Sequence, residues 1–252
     1  YYLRQQHRST GIPTKDIIYI AVKSMGLDDL TPFDPNKKII EYRIRNLHGP
    51  LASQPLHVFA DDLSSDSPAP GGGSVSALAG TLAASLTAMV ANLTFGKKKW
   101  GPLYDQMCHI SEKSQSLKEE LLYLIDADTE AFNKVLNAYR LPQNTDNQVL
   151  VRNETIDRTM KEACNVPLKT LQYCLDIMKY TKEIAELGNP NSVTDAGVGA
   201  EMANAGAQGA ALNVKINLNE IDDIQYCKNM LKETDLLLKE MDKMLSAVRK
   251  IV

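Results

Sequence analysis

One carboxylate stands where a packed helix would place a leucine. Apolar residues recur at Leu117, Leu121, Leu124, Ile125, Phe132, Val135 and Leu136, the spacing of a single helix face, and Asp128 falls on that face between Leu124 and Phe132. A carboxylate so placed must be hydrogen-bonded, paired with a cation or partly protonated, because burying it bare forces its pKa upward. Those conditions let a carboxyl group move protons near neutral pH. They also suit a structural ion pair at the edge of a packing seam. Asp126, two residues earlier, is expected on another face.

A second group of candidates is the turn Gly71-Gly72-Gly73-Ser74, which opens a long uncharged helix. Unhindered backbone N–H groups at a helix N-terminus can hold a carboxylate or phosphate. The turn lacks the lysine of a P-loop and the G-x-G-x-x-G of a dinucleotide fold, so a plain turn capped by Ser74 remains the alternative. The nearest cations are Lys97, Lys98 and Lys99, at the expected solvated end of the same helix; attraction to the carboxylates of an anionic substrate is their other possible role. Asn204, Asn213 and Asn217 could hydrogen-bond a polar heterocycle or satisfy backbone groups where helices cross. His7, His48, His57 and His109 have no ligand spacing, and no metal site is assigned.

These residues need helices to place them. Ser67–Gly96 runs thirty residues without a charge. Small residues recur at Ala77, Gly80 or Thr81, Ala84, Ala88 and Ala91, and Val75, Leu78, Leu82, Leu86, Met89 and Leu93 form a second stripe. The helix is therefore expected to be apolar on both faces and central to a bundle. A membrane span is disfavoured, because Ala, Ser, Thr and Gly outnumber Leu, Ile and Val. Further helices are expected over about 56–63, 104–139 and 147–187, the last kinked or split at Pro167. Gly188 and Pro190 end that helix, and Ser192-x-x-Asp195 resembles a capping box before another Ala/Gly-rich helix to about 218. A final helix, 222–251, carries a heptad seam at Cys227, Leu231, Thr234, Leu238, Met241, Leu245, Val248 and Val252. The fold class is all-α, a bundle of five to six long helices. Before it, residues 1–45 read as a short α/β remnant: a helix over 14–25, then a strand over 38–44 that one chain segment cannot pair. Residues 46–55 are a linker by composition, and 56–252 the helical domain.

The balance of 28 basic and 31 acidic side chains gives a formal charge of −3 in 252 residues and carries no nucleic-acid footprint. Four cysteines, at 108, 164, 174 and 227, match neither a disulfide framework nor a CxxC site, which fits a reducing, cytoplasmic setting. The chain opens at Tyr1 without a signal-peptide pattern and reads as a piece of a longer protein.

Four blocks in order, PAPGGGSVSALAG, LIDADTEAF, GNPNSVTDAGVGAE and GAALNVKINL, resemble the cyclodeaminase domain of formiminotransferase-cyclodeaminases. The likeness covers about 51–252, and MGLDDLTPFDPNKKIIEYRI resembles the tail of the formiminotransferase domain that precedes it. The resemblance implies an all-helical, dimerising domain that binds tetrahydrofolate between subunits. It implies conversion of 5-formiminotetrahydrofolate to 5,10-methenyltetrahydrofolate with release of ammonia, in histidine breakdown. The folate is the expected substrate, in a polyglutamated form, with no further cofactor. The family's catalytic aspartate falls on Asp128; Gly71, Gly72, Gly73, Ser74, Asn189, Asn191, Asp195 and Asn213 fall in its other blocks as candidate substrate-binding residues, and Lys97 is added for the glutamate tail. A non-catalytic dimerisation module and a domain that only channels folate are the alternatives. The dimerisation module does not explain Asp128 on a leucine stripe. Two small-residue faces and a terminal seam also lead to an expected homo-oligomer.

Overall fold

The computed structural model describes residues 1–44, 49–95 and 98–252. Four short helices come first: α1 (Tyr2–Gln5), α2 (Thr14–Ser24), α3 (Pro35–Lys38) and α4 (Ile40–Ile44). They are followed by α5 (Leu56–Leu63), α6 (Gly72–Thr94), α7 (Tyr104–Tyr139), α8 (Asp146–Leu187), α9 (Val193–Leu218) and α10 (Ile224–Val248). No strand occurs among the described residues. The strand expected over 38–44 is replaced by the end of α3 and by α4. With no neighbouring strand to receive its ladder, the segment satisfies its backbone by local hydrogen bonds.

The long helices α6, α7, α8 and α9 form the bundle, with α10 laid across α8 and α9. The centre is α6, but only one of its faces is covered. Ala77, Ala84, Ala88 and Ala91 are buried, whereas Val75, Leu82, Met89 and Leu93 are 37–48% exposed, so the expectation of two covered faces is wrong for the single chain. The small face wins the interior because it admits close neighbours: a Cβ on Gly206 of α9 would lie 2.8 Å from the Ser76 carbonyl oxygen. The apolar length of α6 would suffice to cross a membrane, and 67% of its most apolar window is buried inside the chain. The seam of α10 is consumed internally, with Thr234, Met241, Leu245 and Val248 buried and only its flanks, Leu231 and Val252, left exposed.

Helix α8 runs through Pro167 as one unbroken element. A proline removes the donor for the carbonyl four residues earlier, here Ala163, and the side chain of Asn217 supplies the missing hydrogen bond at 2.9 Å. The amide chemistry expected of one asparagine is thus structural. Residues 1–13 dock beside the C-terminal half of α6: the Ser9 hydroxyl donates to Asn92 at 2.6 Å, and the Tyr104 hydroxyl donates to the Arg8 carbonyl at 3.0 Å.

Candidate active site

The glycine turn, Asp128 and Asn213 meet at the N-terminal end of α6. Gly71 is the N-cap, with φ −138° and ψ −157°, so the turn needs no left-handed residue. Its glycines are there for space. A Cβ on Gly73 would lie 2.0 Å from Asp128 Oδ1, and one on Gly72 would lie 3.4 Å from Asn213 Nδ2. Ser74 does not cap the helix; its hydroxyl donates to the Ile125 carbonyl of α7 at 2.7 Å, tying the start of α6 to the turn of α7 that carries Asp128.

Asp128 is half-buried. Burial raises its pKa above the ordinary carboxylate value, and the nearby backbone N–H and hydroxyl dipoles of Ser74 oppose that rise without cancelling it. The carboxyl group borders a cavity of about 690 Å³. Phe132, Val135 and Met160 make its apolar wall, and Asn213, Asn217 and Glu220 bring polar groups to its other side. This size and lining suit a flat heterocycle of drug-like dimensions with a few polar anchors. Thr129, Tyr139 and Glu220 line the cavity without having been singled out in the sequence. Tyr139 continues the stripe of Val135 and Leu136 by one turn and was there to be read; Glu220 sits just past the end of α9, where no periodicity marks it.

The remaining candidates lie elsewhere. Asn189 is buried at the C-terminal end of α6, where its N–H donates to Thr94 Oγ1 at 3.0 Å and its side chain donates to the Leu93 carbonyl at 3.4 Å. Its side-chain oxygen accepts from the Asn191 N–H at 3.1 Å, so Asn189 caps a short 3-10 turn over Pro190–Ser192. The capping box expected at Ser192 and Asp195 does not form: Ser192 is the N-cap of α9 but makes no side-chain cap bond. Asn189, Asn191 and Asp195 do not border the Asp128 cavity. A 23-residue helix separates the two groups, about 35 Å at 1.5 Å per residue. Lys97 lies outside the described residues; Lys98 and Lys99 open a 3-10 helix, Lys98–Leu103, beyond the C-terminal end of α6. Their segment thus follows the end of α6 remote from the glycine turn of the same chain. Among the described residues no group of three or more His, Cys, Asp or Glu could hold a metal.

Asp126 lies on another face, as the face count placed it, and is nonetheless buried. It is 6% exposed and accepts from the backbone N–H groups of Leu51, at 2.8 Å, and Ala52, at 3.1 Å. The linker folds over this part of α7, so a position that would face water on a lone helix is buried.

Residues 55–236 match the family model described as formiminotransferase-cyclodeaminase. The chain belongs to this family. Residues 1–45 match the formiminotransferase domain model. A protein of Methylorubrum extorquens named methenyltetrahydrofolate cyclohydrolase is 39% identical over 75% of this chain and 90% of its own length. The formimidoyltransferase-cyclodeaminase of Rattus norvegicus is 32% identical over 95% of this chain, which spans only 43% of that relative. Among solved structures, formiminotetrahydrofolate cyclodeaminase from Thermotoga maritima superposes with a TM-score of 0.72 at 31% identity, over 79% of this chain and 96% of that one. As a formiminotransferase-cyclodeaminase family member, the chain brings three motif blocks together in one cavity and holds the fourth at the opposite end of α6.

Proposed function

We propose that the cavity walled by Asp128 and the Gly71–Ser74 turn converts 5-formiminotetrahydrofolate to 5,10-methenyltetrahydrofolate and ammonia. The Asp128 carboxyl group carries this reading: it faces the cavity, and burial lifts its pKa toward the range in which a carboxylate exchanges protons with nitrogen. N10 of the folate attacks the formimino carbon and forms the second C–N bond of the new ring. With the substrate entering as the protonated amidinium, N5–CH=NH2+, N10 then gives up its proton, the former imino nitrogen, already carrying two hydrogens, gains one, and its bond to carbon breaks to release ammonia. The two proton movements balance, so one carboxylate between the nitrogens carries both and ends in its starting state. Ionised Asp128 also stabilises the cationic carbon centre of substrate and product. No electrons change hands, and the chemistry asks for no cofactor beyond the folate.

The working unit in this proposal is a dimer. The uncovered stripe of α6 repeats every seven residues at Val75, Leu82 and Met89, the pattern of a helix seam. If two copies pair these stripes about a two-fold axis perpendicular to the helices, the helices run antiparallel. The Asn189–Asp195 loop of a second copy then reaches the glycine turn of the first. Lys98 and Lys99 follow the same end of α6, where they attract the glutamate carboxylates of a polyglutamated folate. The match over residues 1–45 supports an upstream formiminotransferase domain in the parent protein, which supplies the formimino folate in cytoplasmic histidine degradation.

A second reading rests on the Methylorubrum relative. Water in place of N10 chemistry would open the methenyl ring to a formyl folate at the same carbon. One experiment separates the two. Incubating the chain with 5-formiminotetrahydrofolate should yield methenyltetrahydrofolate, followed by its absorbance, and one ammonia for each product molecule. Absence of methenyl product, with accelerated decay of added methenyltetrahydrofolate, would replace the first reading by the second.

A further inference from the structure

Asp126 and Asp128, two residues apart on α7, hold the two ends of one strap. At its start, both carboxylate oxygens of Asp126 are engaged by the N–H groups of Leu51 and Ala52. Gly49 is packed so closely that a Cβ there would lie 2.2 Å from the Asp126 carboxyl carbon. At its end, Gly73 touches Asp128, and the Ser74 hydroxyl binds the Ile125 carbonyl. Between these points the strap contains α5, of which only Phe59 is fully buried, and then the segment whose Pro68, Ala69 and Gly71 wall the cavity. With so little apolar burial of its own, the strap depends on its end contacts for position.

We infer that Asp126 is a positioning residue, the latch that fixes the 49–71 strap and through it the Pro68–Gly71 wall of the substrate cavity. Asp126 does not border the cavity. Two backbone donors require an acceptor on each side, which a carboxylate supplies and a carboxamide does not: in asparagine one of the two positions becomes an N–H group facing an N–H group. Releasing the latch loosens one wall of the cavity while leaving Asp128 on its own helix. Binding suffers more than the chemical step.

This inference rests on the folate reading for its kinetic readout, and a structural readout stands apart from it. In Asp126→Asn, hydrogen exchange should accelerate across 49–56 and 66–71 and remain unaltered in α8 and α10. KM for 5-formiminotetrahydrofolate should rise about tenfold, the lower end of what loss of an outer-shell partner costs, with kcat within about threefold of wild type. Gly49→Ala approaches the same contact from the strap and leaves α7 untouched, so it should reproduce both effects and carries the test alone if Asp126→Asn fails to fold. Unchanged exchange over 66–71 in a variant with accelerated 49–56 would show that the strap does not transmit, and the inference would fall. So would a loss of kcat without a change in KM, which would place Asp126 in the chemistry. If the wild-type chain makes no methenyl product, the folate reading fails while the exchange result still decides the latch.

Discussion

The two ends of α6 treat their polar side chains in opposite ways. At the C-terminal end, Asn189 uses its side-chain donor, its side-chain acceptor and its backbone N–H within the chain. At the N-terminal end, Asp128 is lifted in pKa by burial and faces a cavity of about 690 Å³, with only Ser74 offsetting the cost. Reactivity resides where a charged group is kept short of partners, because a fully satisfied group has nothing left to offer a substrate. The Asn189 end is thus a loop held by its own hydrogen bonds, and the Asp128 end is the one proposed to react. On the proposed pairing of α6 stripes, each lends the other what it lacks.

Substitutions at the reactive end should have the largest effects. Asp128→Asn keeps size and hydrogen bonding but removes the charge and the proton carrier, and should lower kcat by about a hundredfold or more with the helical content intact. Gly73→Ala puts a methyl group where Asp128 Oδ1 now sits, 2.0 Å away, and should displace the carboxylate. Its kcat should fall by about tenfold or more, the cost of moving a reacting group by around an ångström. Next come breaks in the proposed seam. Leu82→Lys with Met89→Lys places charges on an isologous contact, counted once from each copy, and should cost more than about 2 kcal/mol, or about thirtyfold in the dimer dissociation constant by sedimentation. The same chain should remain folded, since both positions are exposed in the monomer. Asn213→Ala removes a single neutral hydrogen-bonding group from the cavity and should raise KM by about fivefold.

The smallest effect is on stability. Because the folded-state pKa of Asp128 is raised, the folded chain binds its proton more readily than the unfolded chain, and wild type loses stability as pH rises through the interval between the two values. Asp128→Asn lacks that loss. Its Tm should exceed wild type at pH 7, and the difference should vanish below about pH 3, where the aspartate is protonated in both states.

The helices of the bundle were legible because their apolar positions recur every three or four residues, and Asp128 stood out as a break in that recurrence. The open face of α6 was not, since periodicity records that a face is apolar without recording whether this chain or another covers it. The burial of Asp126 was not legible for a related reason: a lone helix has no segment folded over it, and the two N–H groups that bury its carboxylate come from 75 and 74 residues away. The strand expected over 38–44 failed because β-structure needs a neighbour, and the described residues provide none. Pro167 was expected to kink or split its helix; the helix is not split, and the compensating amide arrives from Asn217 on another helix, beyond the reach of any local rule. Local spacing carried what lies within one helix. The open face of α6, the burial of Asp126 and the continuity through Pro167 lay in what a distant segment or another chain supplies.

Subunit mixing tests most directly the central claim that Asp128 and the Asn189–Asp195 loop act on one substrate from two copies of the chain. Asp128→Asn and Asp195→Ala, each inactive as a homodimer, would be combined under conditions that exchange subunits and assayed for methenyltetrahydrofolate formation. A shared site leaves one intact cavity in each mixed dimer, so about a quarter of wild-type activity should return from an equal mixture by random pairing. No recovery, with mixed dimers demonstrated by mass, would place both ends of α6 outside a common site.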